Sequence, residues 1–221
     1  VNSGDPSSSS YCTATNAGAT CTVSASVTEY FNEDQTAKVQ GFELGFTKYA
    51  DFLPEPFNGL GVDFNYTYID SQQPGSLAYD MKGTKIEGLP LIGMSKNTIN
   101  ASLMFDKGPL SMRLAYNWRS DFLVSTAAYQ TSGTYNYVND INYAGQQGTV
   151  IHYALPVYQY GVGTLDWNMT YNLTDDVSWT LEASNLTKST TRLYMGEGER
   201  RVNRSWYVAD TRYTTQLRFK F

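Results

Sequence analysis

The sequence predicts an all-β fold: an antiparallel transmembrane β-barrel segment of about seven strands. Three observations lead there. The 221 residues hold 18 Tyr, 10 Phe, 4 Trp and 18 Gly with only 17% charged residues, yet the mean hydropathy is -0.40, as expected of aromatic-rich strands with one wet face. Seven long segments alternate apolar and polar residues with period 2. The connections between them are short and long by turns, which is how an outer-membrane barrel sorts its periplasmic turns and extracellular loops.

The first segment, 36 to 50, sets Phe42, Leu44 and Phe46 against Gly41, Glu43, Gly45 and Thr47. The second, 59 to 72, sets Val62, Phe64, Tyr66 and Tyr68 against Asp63, Asn65 and Thr67. In the third, 94 to 106, Ile99, Ala101, Leu103 and Phe105 oppose Thr98, Asn100, Ser102 and Met104. The fourth, 109 to 124, opposes Leu110, Met112, Leu114, Tyr116 and Trp118 to Ser111, Arg113, Ala115, Asn117 and Arg119. The fifth, 157 to 173, turns Leu165, Trp167, Met169 and Tyr171 away from Asp166, Asn168, Thr170 and Asn172. Upstream its phase reverses at Tyr158, Tyr160 and Val162, so a bulge is expected near Gly161 to Thr164. The sixth, 177 to 188, carries Val177, Trp179, Leu181 and Ala183 against Ser178, Thr180, Glu182 and Ser184. The seventh, 205 to 221, carries Tyr207, Ala209, Thr211, Tyr213, Thr215, Leu217, Phe219 and Phe221 against Asp210, Arg212, Thr214, Gln216, Arg218 and Lys220.

Connections 51 to 58, 107 to 108 and 174 to 176 are tight, whereas 73 to 93, 125 to 156 and 189 to 204 are extended. A soluble sandwich has no reason to sort its loops by parity, nor to expose the face that is dense in Phe, Tyr and Trp. The apolar face therefore suits lipid and the Gly, Ser, Thr, Asn and charged face a hydrated lumen. With seven strands and the last ending in the periplasm, residues 1 to 35 fall outside the cell and 36 to 221 in the barrel wall. Bacterial barrels have even strand numbers, and an open sheet leaves unpaired backbone groups in lipid, so further strands are expected from residues outside this chain.

A net charge of -5 and a pI near 4.9 argue against a nucleic-acid partner, which needs a concentrated basic surface. No run approaches the 18 apolar residues of a membrane helix, and no signal peptide is visible. The opening Val1-Asn2-Ser3-Gly4 lacks an initiator Met, and a piece of a longer product is expected. Cys12 and Cys21 sit in a Ser/Thr-rich stretch. A disulfide between them is expected, closing a short extracellular loop worth roughly 2 to 3 kcal/mol and implying an oxidising compartment, over the alternative of two unpaired loop cysteines.

Beyond pattern, Val39-Gln40-Gly41-Phe42-Glu43-Leu44-Gly45, Gly59-Leu60-Gly61-Val62 and Asn65-Tyr66-Thr67-Tyr68 resemble the barrel of TonB-dependent outer-membrane receptors, particularly the large proteobacterial ones. The likeness continues through Leu89-Pro90-Leu91, Ser95-Lys96-Asn97, Ala115-Tyr116-Asn117-Trp118-Arg119, Glu182-Ala183-Ser184-Asn185-Leu186-Thr187 and Leu217-Arg218-Phe219-Lys220-Phe221. The resemblance implies a bacterial outer-membrane location and a 22-stranded barrel closed by an N-terminal plug, of which this chain would be the last seven strands. It also implies partners: the remainder of the receptor, the TonB complex through the N-terminal part, the lipid bilayer and lipopolysaccharide. Tyr213, Leu217, Phe219 and Phe221 resemble the signal read by the barrel-assembly machinery, although lipid-facing alternation alone explains all but the final Phe.

No enzyme chemistry and no cofactor is expected. His152 has no second His or Cys near it, no nucleophile, base and orienting group converge, and Asp175-Asp176 suits a tight turn. Asn-x-Ser/Thr triplets occur at Asn65, Asn100, Asn168, Asn172, Asn185 and Asn203, and since five of the six lie in or at the ends of strands, where alternation places polar residues on the lumen face, they are not read as glycosylation sites. Loop 125 to 156 carries Tyr129, Tyr135, Tyr137, Tyr143 and Tyr153 with three Asn, three Gln and no Lys or Arg, a chemistry suited to sugars, or to packing on neighbouring loops. Loop 189 to 204 pulls toward an anion such as a ferric siderophore, or toward lipopolysaccharide phosphate, through Arg192, Arg200, Arg201 and Arg204 set against Glu197 and Glu199. The balance favours an oligosaccharide. An adhesin or a passive porin would lack the plug.

Overall fold

The computed structural model describes residues 36–75, 78–80, 84–134, 150–196 and 201–221, with 127–134 and 150–153 as backbone only. All belong to one unit, Gln35–Phe221. The larger of two antiparallel sheets contains β1 (Lys38–Tyr49), β2 (Leu60–Gln72), β3 (Asn97–Lys107) and β4 (Leu110–Arg119). The chain then forms β5 (Phe122–Thr134) and β6 (Val150–Gln159) of the smaller sheet and returns to the larger in β7 (Val162–Asn172) and β8 (Val177–Ser184). It leaves again for β9 (Thr190–Met195) and β10 (Val202–Val208) and ends in β11 (Arg212–Phe219). The larger sheet runs β1-β2-β3-β4-β7-β8-β11 and the smaller β10-β9-β6-β5.

Each of the seven expected segments contributes one strand to the larger sheet, and the register explains why. Cross-strand partners share a face, so the pairs Phe42↔Tyr68, Phe46↔Phe64, Val62↔Leu103, Tyr66↔Ile99 and Leu103↔Leu114 build one apolar surface. That surface continues through Leu114↔Trp167, Met169↔Leu181 and Leu217↔Trp179 to Phe219↔Val177 at the far edge. Polar atoms on it are tied down within the sheet: the Trp179 indole N–H donates to Thr215 Oγ1 at 2.9 Å and Tyr66 O–H to Asn97 Oδ1 at 2.8 Å. Such pairing is what a hydrocarbon surround requires. Gly163 is small because the Tyr116 hydroxyl lies where its Cβ would be.

The opposite face is polar from edge to edge, through Thr47↔Asp63, Asn65↔Asn100, Ser102↔Ala115, Arg113↔Asn168, Asn168↔Glu182 and Thr214↔Glu182. Its side chains also bond across strands, as where Arg113 Nε and Nη2 donate to Ser102 Oγ at 3.2 and 2.9 Å. Among the described residues β1 and β11 stand at opposite ends of this sheet, each with one neighbour.

Two expectations about the connections are corrected. Loop 125 to 156 begins and ends as strand, because β5 and β6 pair from Phe122↔Gln159 to Thr134↔Val150. The pairing slips between Leu123/Ser125, Ser125/Ala128 and Ala128/Thr131. Each slip sets an extra residue against its partner strand and shifts the alternation, so no period survives in the sequence. Loop 189 to 204 likewise contains β9 and the start of β10, with a shift between Asn203 and Ser205. The sixth segment stops at Ser184, and the seventh is interrupted between β10 and β11.

The expected bulge near Gly161 to Thr164 is also absent, since β7 pairs with β4 in unbroken register from Arg119↔Val162. The strand is instead interrupted at Tyr160-Gly161, opposite the interruption at Ser120-Asp121. Four membrane-length segments thus each break once, and their outer halves re-pair as the smaller sheet. Asn185, held at φ 55°, organises one break. Its amide N–H donates to Asp166 Oδ1 at 2.7 Å, its side-chain Nδ2 to Ala209 O at 3.0 Å, and its Oδ1 accepts from Ser189 N at 2.8 Å.

The buried core lies on the smaller sheet. Leu123, Tyr158 and Tyr194 are buried together with Ala78 and Leu89 from connection 73 to 96, and Ile86 and Tyr160 pack beside them. That connection is pinned as a strap by Tyr79 N to Ala154 O at 2.8 Å, Gln73 N to Leu89 O at 2.8 Å and Gly93 N to Leu123 O at 2.7 Å.

Candidate functional site

The described residues concentrate chemistry at the end of the larger sheet that carries the long connections. Pairing within the smaller sheet sets the face: Tyr158 pairs with Leu123 and with Tyr194, which carries the face into β9. Beyond the breaks at Ser120-Asp121 and Tyr160-Gly161 the alternation of the larger sheet no longer applies, and the out-of-phase Tyr158 packs under the strap with Tyr160 beside it.

On this face Tyr158 and Tyr194 stack with ring centroids 5.3 Å apart and planes at 14°, and Tyr160 leans on Tyr194 at 4.4 Å. Asp121 closes the floor, accepting the Tyr194 O–H at 3.0 Å on Oδ2 and the Gly161 N–H at 2.7 Å on Oδ1. Burial, and then the Asp121 carboxylate, hold the Tyr194 phenol well above its ordinary range. Arg201 lies 4.8 Å over the Tyr194 ring and 3.8 Å from Asp121 Oδ2. Nearer the open side, Arg192 Cζ lies 5.2 Å over the Tyr160 ring, and Tyr160 N donates to Arg192 O at 2.9 Å. Trp206 stands directly opposite Arg192 in the β9–β10 pair and is 57% exposed.

Several expected site residues fall elsewhere. Tyr135, Tyr137, Tyr143 and Arg200, with Cys12 and Cys21, lie outside the described residues. Tyr129, expected in a loop, is in β5, and Tyr153 is in β6. Arg204 is exposed at the β10 register shift. Tyr213, Leu217 and Phe219 are exposed on the apolar face of β11, and Phe221 lies just past it. Sequence reasoning missed Asp121, Tyr158, Tyr160, Tyr194 and Trp206, although the out-of-phase Tyr158 and Tyr160 were their visible sign.

Residues 4–186 match the family described as TonB dependent receptor-like, beta-barrel. The chain belongs to that family. No curated protein and no solved structure matches it. In a TonB-dependent receptor, a transporter of the outer membrane, the apolar surface of the larger sheet is the outer wall of the barrel and the polar surface its lumen wall.

Proposed function

We propose that this chain supplies wall strands and outer loops to a receptor that imports an oligosaccharide across the bacterial outer membrane. A plug, a TonB-contacting segment and earlier barrel strands would come from the remainder of the receptor. The observation that carries the reading is the single register-continuous sheet with one apolar and one polar face, in a chain of the TonB-dependent receptor family. The sugar preference is supported by loop chemistry: Tyr129, Tyr135, Tyr137 and Tyr143 occur among Asn and Gln without a Lys or Arg, offering stacking faces and neutral hydrogen bonds.

A second reading, an anionic ligand such as a ferric siderophore, is favoured by Arg192, Arg200, Arg201 and Arg204. Arg201, however, is engaged by Asp121 and Tyr194, which lowers the positive charge offered at the mouth. The test is uptake of labelled oligosaccharide and of labelled ferric siderophore by cells carrying the intact receptor, with and without TonB. Sugar uptake that requires TonB is expected, and it should fall severalfold in a Tyr135→Ala, Tyr137→Ala double variant at normal surface level. Uptake of siderophore alone would sink the sugar reading, and uptake indifferent to TonB would indicate a porin.

A further inference from the structure

We infer that Tyr160, Arg192 and Trp206 form a binding row on one face of the smaller sheet, and that it takes a saccharide bearing a carboxylate, a uronic-acid oligomer. The inference deepens the oligosaccharide reading and rests on it.

The three residues occupy three successive positions across the sheet: the end of β6, then β9, then β10. Arg192 and Trp206 are direct antiparallel partners and so share a face. Arg192 reaches over the Tyr160 ring on that same face. Neighbouring strands are about 4.8 Å apart, so the three positions span about 10 Å. The Tyr160 ring backs the Arg192 guanidinium, and the row offers that planar fork of donors beside the exposed Trp206 ring. Aromatic faces accept the apolar faces of sugar rings, and the fork matches a carboxylate in bidentate geometry.

Among the described residues no carboxylate neutralises the charge at the centre of the row. Arg113 is tied to Ser102, Arg119 to Ser95 Oγ and Gly93 O, and Arg201 to Asp121. Arg192 is exposed, and among the described residues its guanidinium meets the Tyr160 ring and no carboxylate. The row is also held in shape from below. Tyr160 leans on Tyr194, which is 3% exposed, stacked on Tyr158 and bonded to Asp121, so the near end of the row stands on a packed floor. Carboxylate recognition at Arg192 reconciles the two loop chemistries, because an acidic sugar needs both uncharged stacking surfaces and one well-placed cation.

The experiment uses the purified full-length receptor in detergent, titrated with a galacturonic-acid trimer and with its carboxyl-reduced galactose counterpart. The acidic trimer should bind the unaltered receptor about tenfold more tightly, the increment expected of one charge-assisted pair. Arg192→Gln should remove that preference while leaving the reduced trimer's affinity unchanged, and Trp206→Ala should weaken both trimers. Should Arg192→Gln fail to fold, the comparison of the two trimers on the unaltered receptor and on Trp206→Ala still decides. Equal binding of the two trimers overturns the acidic-sugar inference and leaves the oligosaccharide reading standing. Binding of neither trimer overturns the inference, while TonB-dependent uptake of another sugar would keep the broader reading.

Discussion

Asp121 does more than its place in an interrupted strand suggests. One carboxylate accepts from the Tyr194 phenol and from the Gly161 amide and faces the Arg201 guanidinium, so it joins the breaks in two neighbouring segments to the β9–β10 hairpin. Removing it leaves a buried phenol and a backbone donor without partners. The cost of orphaning such groups exceeds the net worth of the bonds themselves. Asp121→Ala is expected to destabilise the smaller sheet by about 2 kcal/mol. It should also speed hydrogen exchange at Gly161 and Tyr194 while leaving β1 to β3 unaffected. Exchange measured by mass spectrometry on the receptor in detergent checks this; unchanged protection at Gly161 would show that Asp121 is dispensable. Asn185 has a comparable position at the next break, but its partners are largely backbone groups, and it belongs to a stretch that already carried the family resemblance.

At the scale of the element, connection 73 to 96 acts as a strap. Leu89 is 1% exposed and packs with Ala78 against Leu123, Tyr158 and Tyr194, and its backbone carbonyl holds Gln73. Leu89→Ala should cost about 2 to 5 kcal/mol of local packing, as a large-to-small change in a closed cluster does. The expected outcome is protease cutting within 73 to 96 in intact outer-membrane vesicles, where the unaltered receptor resists. The strap also shows where the sequence was legible and where it was not. Every strand of the larger sheet could be read, because Phe42, Leu103, Trp167 and their neighbours face one solvent along an unshifted register, and a period of 2 survives. β5 and β10 could not, because bulges break the period. The inner cluster could not either, because Leu123 and Tyr158 are covered by Ala78 and Leu89, which are distant from both in the chain. Alternation records what a strand faces locally, and here the facing partner arrives from elsewhere in the sequence.

For the whole molecule, the two faces of the larger sheet are the decisive property. An apolar surface that runs through seven strands from Phe42 to Phe219, with charge only towards the strand ends, as at Lys48, Asp70 and Lys107, is far larger than a soluble protein exposes. It is stable only against hydrocarbon or against another apolar layer, and among the described residues no such layer covers it: Phe42, Leu103, Trp179 and Leu217 are all exposed. The edges point the same way. Among the described residues β1 and β11 each have one neighbour, and an unpaired strand edge in lipid costs several kcal/mol for every unsatisfied backbone group. Each edge therefore calls for a further strand beyond the seven, as a closed barrel provides. A pair of adjacent substitutions separates this arrangement from a sheet that buries its aromatic face in a dry protein core. Trp167 and Asn168 are neighbours in β7 at the same depth but on opposite faces, paired with Leu114 and Arg113 respectively. Trp167→Arg should cost about 2 to 4 kcal/mol if it lies near the bilayer midplane, whereas Asn168→Arg should be tolerated in the wet lumen. Folding of each full-length variant into vesicles, followed by denaturant titration, measures the difference. In a dry-core sandwich the Asn168 face would meet bulk water, and the result that separates the two is dependence on bilayer thickness: the Trp167→Arg cost should shrink in thin, short-chain lipid, where position 167 lies nearer the interface, and a cost independent of lipid chain length would rule out lipid contact at that face.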